Sequence, residues 1–248
     1  MSTTLTTAIV SACLLGAVWV GVRLGRFLPE AHLSADSRDT VKLALGLVAT
    51  MSALLLGLLV NSARTSYDTA RIHVMQVASR YALLDRLLGI YGPPAAGVRG
   101  ELHVLIEEST RLLWPDLPEP SKPRPGIGDA FYADLLKLEA HDDTERTLKA
   151  QAASLTVEIG EVRTLMRAEA TPSISRTMLI VVVLWLVMIF LGFSLIAPRN
   201  ATARFALIAS ALCVSGAIFL ILELDRPFDG LLRISSDPMQ TALLPFEK

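Results

Sequence analysis

Apolar residues in this chain gather into four long runs separated by polar sequence. Leu5 to Val22, Leu43 to Val60, Thr177 to Pro198 and Phe205 to Leu222 each lack Asp, Glu, Lys and Arg. At about 1.5 Å of rise per residue, a run of roughly 18 to 20 apolar residues crosses a hydrocarbon core about 30 Å thick. Charged residues sit at the rims of the runs, so the pattern predicts four transmembrane helices. The second run does not stop where its apolar part does. Polar sequence begins at Asn61-Ser62-Ala63-Arg64, yet neither proline nor glycine follows until Gly89. The second helix is therefore expected to continue for several turns beyond the membrane. Arg64 and Asp68, then Asp68 and Arg71, stand four and three residues apart, a spacing at which opposite charges support a helix.

The stretch between the second and third runs also reads as helical. Leu83, Leu84, Leu87, Leu88 and Tyr91 give an apolar face that ends at Gly92-Pro93-Pro94. Val98, Leu102, Leu105, Ile106 and Leu113 predict a helix from Val98 to Trp114. Pro115, Pro118, Pro120, Pro123 and Pro125 form an extended connection. A short helix is expected at 129–140 and a long one at 143–170, closed by Thr171-Pro172, with Thr171 or Ser173 capping the third span. The predicted fold is all-α: a polytopic membrane protein with four transmembrane helices in a 2+2 arrangement around a helical soluble bundle. Its divisions are 1–60 (two spans), 61–176 (soluble, with a Pro-rich loop at 115–128), 177–222 (two spans) and 223–248 (tail).

Composition agrees with this layout. Of 248 residues, 52% are apolar but only 6% aromatic, and the net charge is −1. A balanced charge with no basic face gives no ground for a nucleic-acid partner. Cys13 and Cys213 both fall inside spans and imply neither a disulfide framework nor a metal site. No basic residue precedes Arg23, whereas a secretory leader carries its positive charge ahead of the apolar run; the first run reads as a retained span.

Two patterns within the spans bear on function. Ala8, Ala12 and Gly16, then Ala49, Ala53 and Gly57, and in the fourth span Ala209, Cys213 and Gly216, recur at intervals of three or four. Small residues so spaced let helices approach closely, within one chain or between subunits. The first, second and fourth spans are expected to form the protein-facing layer and the bulky third span, Met178 to Leu191, to face lipid. On the second span a stripe runs through Gly46, Thr50, Ala53, Gly57, Asn61, Arg64 and Asp68. It is small and polar in the membrane and charged beyond it, as suits the lining of a water-filled path, with Leu54 and Leu58 beside it as an apolar constriction. Simple packing, with Thr50 and Ser52 bonded to their own backbone, accounts for the same stripe. Glu223 and Asp225 follow the fourth span and suit either a pore mouth or pairing with an arginine such as Arg64.

No catalytic or cofactor motif is present. His32, His73, His103 and His141 are scattered, and the acidic run at His141-Asp142-Asp143-Thr144-Glu145 reads as a helix start. No enzyme activity, cofactor or metal is expected.

The runs Leu56-Gly57-Leu58-Leu59, Leu84-Asp85-Arg86 with Tyr91-Gly92-Pro93, and Leu113-Trp114-Pro115 resemble the bestrophin-like bacterial membrane proteins. So, most specifically, does Leu224-Asp225-Arg226-Pro227-Phe228-Asp229-Gly230 with Ile234-Ser235 and Pro238. The resemblance implies a pentameric ion channel with a helical cytosolic region, in which the second membrane helix of each subunit lines the pore. Thr50, Leu54, Gly57, Leu58, Asn61 and Arg64 are then the pore-lining candidates, and Asp68, Glu223 and Asp225 the pore-mouth or pairing candidates. The implied partners are the lipid bilayer, small ions and further copies of the chain. The implied location is a bacterial inner membrane. Basic residues divide almost evenly between the two sides, so orientation stays open on charge, while the resemblance favours cytoplasmic termini and soluble region. The second span lacks aromatic residues and the chain lacks a plain acidic calcium clasp, so ion selectivity and calcium gating are not implied. A membrane scaffold or sensor whose soluble bundle binds a partner is the alternative reading.

Overall fold

The computed structural model describes residues 3–25, 27, 35–114, 126–169, 176–198 and 200–242. Most of the Pro-rich connection, Thr171-Pro172 and Ser173 lie outside the described residues. Those described form eight α-helices and no strand: α1 (Thr3–Leu24), α2 (Ala35–Tyr91), α3 (Ala96–Leu113), α4 (Ile127–Lys137), α5 (Asp143–Glu169), α6 (Arg176–Ile196), α7 (Ala201–Leu224) and α8 (Asp237–Thr241). By length and composition, α1, α2, α6 and α7 can each cross a membrane. The chain divides into two units. One holds 1–67 and 172–226, the other 68–171 and 227–248, and α2 contributes to both.

In the first unit α1 packs on α6 and α7. Its inward face is Val10, Leu14, Ala17 and Val18, at helical spacing. They meet Leu59 and Ala63 of α2, Val182, Leu186 and Phe190 of α6, and Ala211, Ile218 and Ile221 of α7. The third span is thus not a lipid-facing outlier. Val182 is wholly buried, and only its other face, with Ile180, Leu184 and Met188, is exposed. A helix that is apolar all round carries no periodic signal of which side turns inward.

The close approaches also fall elsewhere than on the small-residue stripes. A Cβ at Gly21 would lie 2.6 Å from the Ser194 Cβ and 2.8 Å from the Leu191 carbonyl oxygen, so α1 and α6 touch there through backbone. A Cβ at Gly192 would lie 2.6 Å from a Leu45 methyl. Gly16, Gly57 and Gly216 have nothing within 4 Å of the same position. Packing within the chain therefore does not use those three glycines. Some hydroxyls in the spans return to their own helix: Thr7 Oγ1 donates to Thr3 O at 2.9 Å and Ser215 Oγ to Ala211 O at 2.8 Å. Ser52 does not bond its own backbone as expected, for its Oγ is buried without a hydrogen-bond partner, as is that of Ser194. Asn200 caps α7 by accepting from Ala203 N–H at 2.8 Å.

In the second unit α2 buries Val74, Val77, Ala78, Tyr81, Leu84, Leu88 and Tyr91. It ends at Gly92, whose φ of 95° and ψ of −157° are open to glycine almost alone. Pro93 and Pro94 open a 3-10 turn, Pro93–Ala95, that leads into α3, which returns with Val98, Leu102, Leu105 and Ile106 buried. Phe131 and Leu135 of α4 and Ala152, Ile159, Val162 and Met166 of α5 complete the core. The short helix begins at Ile127 rather than 129, because Gly126 takes a left-handed φ of 83° at its start. The acidic run caps α5: Asp142 Oδ1 accepts from Glu145 N–H and Glu145 Oε2 from His141 N–H, both at 2.7 Å.

Candidate functional site: one face of the second span and the contacts that hold its extension

Thr50, Leu54, Gly57, Leu58, Asn61, Arg64 and Asp68 are all exposed. At about 100° per residue they occupy an arc of about 120° on α2. The buried residues of the same stretch, Leu45, Ser52, Leu59, Ala63 and Ala70, cluster on the opposite side. The chain therefore seats α2 on its apolar back and leaves the small, polar and charged stripe uncovered. Thr50 Oγ1 donates to Leu47 O at 2.8 Å, so its oxygen can still accept a bond from outside the helix. Leu54 is 69% and Leu58 58% exposed, among the more open apolar side chains of the chain.

Farther along α2, Ile72, Met75, Leu83 and Ile90 are exposed too, opposite the side that carries Tyr81 and Leu88. Apolar residues on both sides of a helix outside the spans point to a second partner for that helix. Glu223 and Asp225, at the end of α7, are buried within the chain, and both are engaged in polar interactions, as are Arg64 and Asp68.

The best-defined polar site is one the sequence reading passed over. Asp85 of α2 is buried and accepts from Arg99 Nε and Nη2, each at 2.7 Å, while His103 Nε2 lies 2.9 Å from the same carboxylate. The Arg99 hydrogen bonds are the main reason its carboxyl is held below the usual range, against the opposing effect of burial; His103 assists. Asp85 and Arg99 stand seven residues before and after Gly92, so a helical hairpin turning there brings them face to face. That symmetry is readable, but only once the turn is placed. Nearby, the Tyr81 hydroxyl donates to Ser109 Oγ at 3.3 Å, since Ser109 itself donates to Leu105 O at 2.6 Å.

Two of the sequence motifs meet at the end of α3. Trp114 Nε1 donates to Ile234 O at 2.8 Å, and its ring meets Phe228 edge-on with centroids 5.7 Å apart. Ile234 N–H in turn donates to Pro227 O at 2.8 Å, closing the loop that contains Gly230. A cavity of about 860 Å³ opens between α2, α3, α4 and α5, lined by Tyr81, Phe131, Ile159 and Arg163 among others. Among the described residues no group of three or more His, Cys, Asp or Glu is placed to hold a metal ion.

A model of the bestrophin-like domain matches residues 12–239. The fold is similar to crystal structures of a bacterial bestrophin homologue from Klebsiella pneumoniae. One variant of it is 15% identical, with a TM-score of 0.66 over 93% of this chain and 96% of that one. A second is 14% identical, with a TM-score of 0.67 over 96% of each. A further solved structure, described as a membrane protein, is 16% identical with a TM-score of 0.65 over 93% of this chain and 96% of that one. No curated protein matches the chain in sequence.

Proposed function

The chain belongs to the bestrophin-like family, and from that premise we propose that it is an oligomeric ion channel, a pentamer, in which α2 of each subunit lines the pore. The observation that carries the reading is the uncovered polar stripe on α2, directly opposite the apolar side that the chain's own core buries. Copies arranged about an axis with that stripe inward would surround a path lined by Thr50, Gly57, Asn61 and Arg64. Leu54 and Leu58 would be its apolar constriction, a ring that resists wetting and so can gate. Asp68 would stand beyond it at the mouth. The buried Glu223 and Asp225 suit pairing at the end of α7 better than an open rim. The exposed apolar residues of α2 outside the spans, and the unfilled space around Gly16, Gly57 and Gly216, support contact between subunits. We place the protein in a bacterial inner membrane, with the helical region and both termini in the cytoplasm.

The test is conductance of the purified protein in planar bilayers. Wild type should pass small ions, Leu54→Ala should raise the open probability by widening the constriction, and Asn61→Asp should shift the reversal potential toward cations. Silence of all three proteins while they remain oligomeric would reject the channel. The cavity of about 860 Å³ favours the second reading, a sensor whose bundle binds a ligand or partner. That reading gains if the oligomer is electrically silent yet its α5 amides gain protection from exchange on exposure to membrane-free cell extract.

A further inference from the structure

We propose that the cavity between α2, α3, α4 and α5 binds a zwitterion with an apolar body, in chemical class an α-amino acid with a bulky apolar side chain. The assignment rests on the second reading above, that the bundle binds a ligand, and names what the cavity takes. All of its lining residues belong to the second unit. At about 860 Å³ it has the size of a small-molecule site, beside the buried Tyr81, Leu84, Leu105 and Phe131. Glycine keeps it open. Gly160 lies in the middle of α5, where glycine is among the poorest helix formers, and a Cβ there would meet nothing within 4 Å. No close approach of another element requires its small size, so the space it leaves belongs to the cavity. Thr156 and Arg163 flank it at helical spacing on the same face of α5, and both line the cavity too.

Two charges of opposite sign line this cavity without being spent on each other. Arg163 is half-buried and Asp129 exposed, and neither side chain forms a hydrogen bond or ion pair within the chain. The Arg163 guanidinium comes within 3.9 Å of where a Cβ on Gly128 would stand, so it meets α4 where its first turn carries no side chain. The first helical bond there runs from Ala130 N–H to Gly126 O at 2.9 Å, and no side chain caps the turn. The N–H groups of Ile127 and Gly128 are therefore left without helical partners beside the guanidinium, and together these donors suit a carboxylate. Asp129 follows in the same turn; Glu108 also lines the cavity but is already engaged. A simple anion would meet Asp129 at like charge, and a simple cation would meet Arg163. A ligand that carries both signs satisfies each, with its apolar body against Leu84, Leu105 and Ile159.

The experiment is calorimetric titration of the full chain in detergent with L-phenylalanine, with phenethylamine, which lacks the carboxylate, and with 3-phenylpropionate, which lacks the ammonium. Phenylalanine should bind once per chain, and each analogue about tenfold more weakly or worse, because the charged group it cannot satisfy stays unpaired. Arg163→Gln should weaken phenylalanine but not phenethylamine, and Asp129→Asn should weaken phenylalanine but not 3-phenylpropionate. Gly160→Leu, which fills the gap with a good helix former, should abolish binding of all three. If far-UV circular dichroism shows that Gly160→Leu disturbs the bundle, Thr156→Leu on the same face carries the same expectation. An analogue that binds as tightly as phenylalanine, or a phenylalanine affinity that Arg163→Gln leaves unchanged, would overturn the zwitterion chemistry while leaving the cavity a ligand site. No binding by any of the three, or binding that survives filling of the cavity, would overturn both. None of these readouts depends on current, so the channel reading is tested separately.

Discussion

Replacing Arg99 with alanine removes two of the three hydrogen bonds on the Asp85 carboxylate and leaves a buried anion facing only His103. Asp85 has 5% of its side chain exposed, while Arg99 and His103 have 39% and 40%. The two ends of the bridge are therefore unequal. Losing the carboxylate frees Arg99 and His103, both of which already touch water, at a cost of about 1–2 kcal/mol. Losing Arg99 strands the charge that water cannot reach, and the expected cost is about 2–4 kcal/mol, below that of a sealed pair because His103 and solvent remain at the rim. Hydrogen exchange at the α3 amides reads both. At 1.36 kcal/mol per tenfold, Arg99→Ala should speed their exchange roughly 30- to 900-fold and Asp85→Ala roughly 5- to 30-fold. The pair Asp85→Ala with Arg99→Ala should fall near Asp85→Ala alone, since no stranded charge is left.

The pH dependence follows from the same carboxylate. In the wild type its folded pKa lies below the ordinary carboxylate value, so its contribution is full above about pH 4 and is lost only as pH falls through that lowered value. Without Arg99, burial pushes the carboxyl up. The carboxyl then takes up its proton at a higher pH than in the wild type, which relieves the stranded charge, so the Arg99→Ala penalty should shrink as the pH is lowered. Equal effects of the two single substitutions, or an Arg99→Ala penalty that does not shrink as the pH is lowered, would refute the reasoning.

Gly21→Ala places a methyl 2.6 Å from the Ser194 Cβ and 2.8 Å from the Leu191 carbonyl oxygen, and separating α1 from α6 should cost about 1–3 kcal/mol. Gly16→Ala meets nothing within 4 Å in the chain and should not lower the unfolding midpoint of the dispersed monomer in detergent. Trp114→Phe keeps most of the ring contact but leaves the Ile234 carbonyl without its donor; limited proteolysis should then cut the 227–242 region several-fold faster.

The spans and the long second helix were legible because uninterrupted apolar runs and the lack of breakers before Gly89 are strong one-dimensional signals. The hairpin at Gly92 was legible from Gly92-Pro93-Pro94, and α3 from the recurrence of Val98, Leu102, Leu105 and Ile106. What escaped depends on which side of a helix meets which neighbour. Met178 to Leu191 is apolar on all sides, so nothing in it marks Val182, Leu186 and Phe190 as core. Small residues at Ala8, Ala12 and Gly16 have the spacing of a contact, yet α1 makes its backbone contact at Gly21. Gly21 belongs to a different four-residue repeat, Ala17, Gly21 and Gly25, and only the structure shows that this one carries the contact. Asp85 and Arg99 hid for a different reason: each is an ordinary charge on its own helix, and their pairing exists only after Gly92 folds one helix back on the other. The α2 stripe was visible as a pattern; that the chain leaves it uncovered required the structure.

Chemical modification of that stripe during current recording tests the central claim most directly. With Cys13→Ala and Cys213→Ala as background, Asn61→Cys places a thiol on the uncovered side of α2, and Phe205→Cys places one on an exposed position of α7. A charged, water-soluble thiol reagent should change the single-channel current through the Asn61→Cys protein within seconds and leave the Phe205→Cys protein unaffected. Intact oligomers that carry no current, or current that stays the same after complete modification at position 61, would contradict the account.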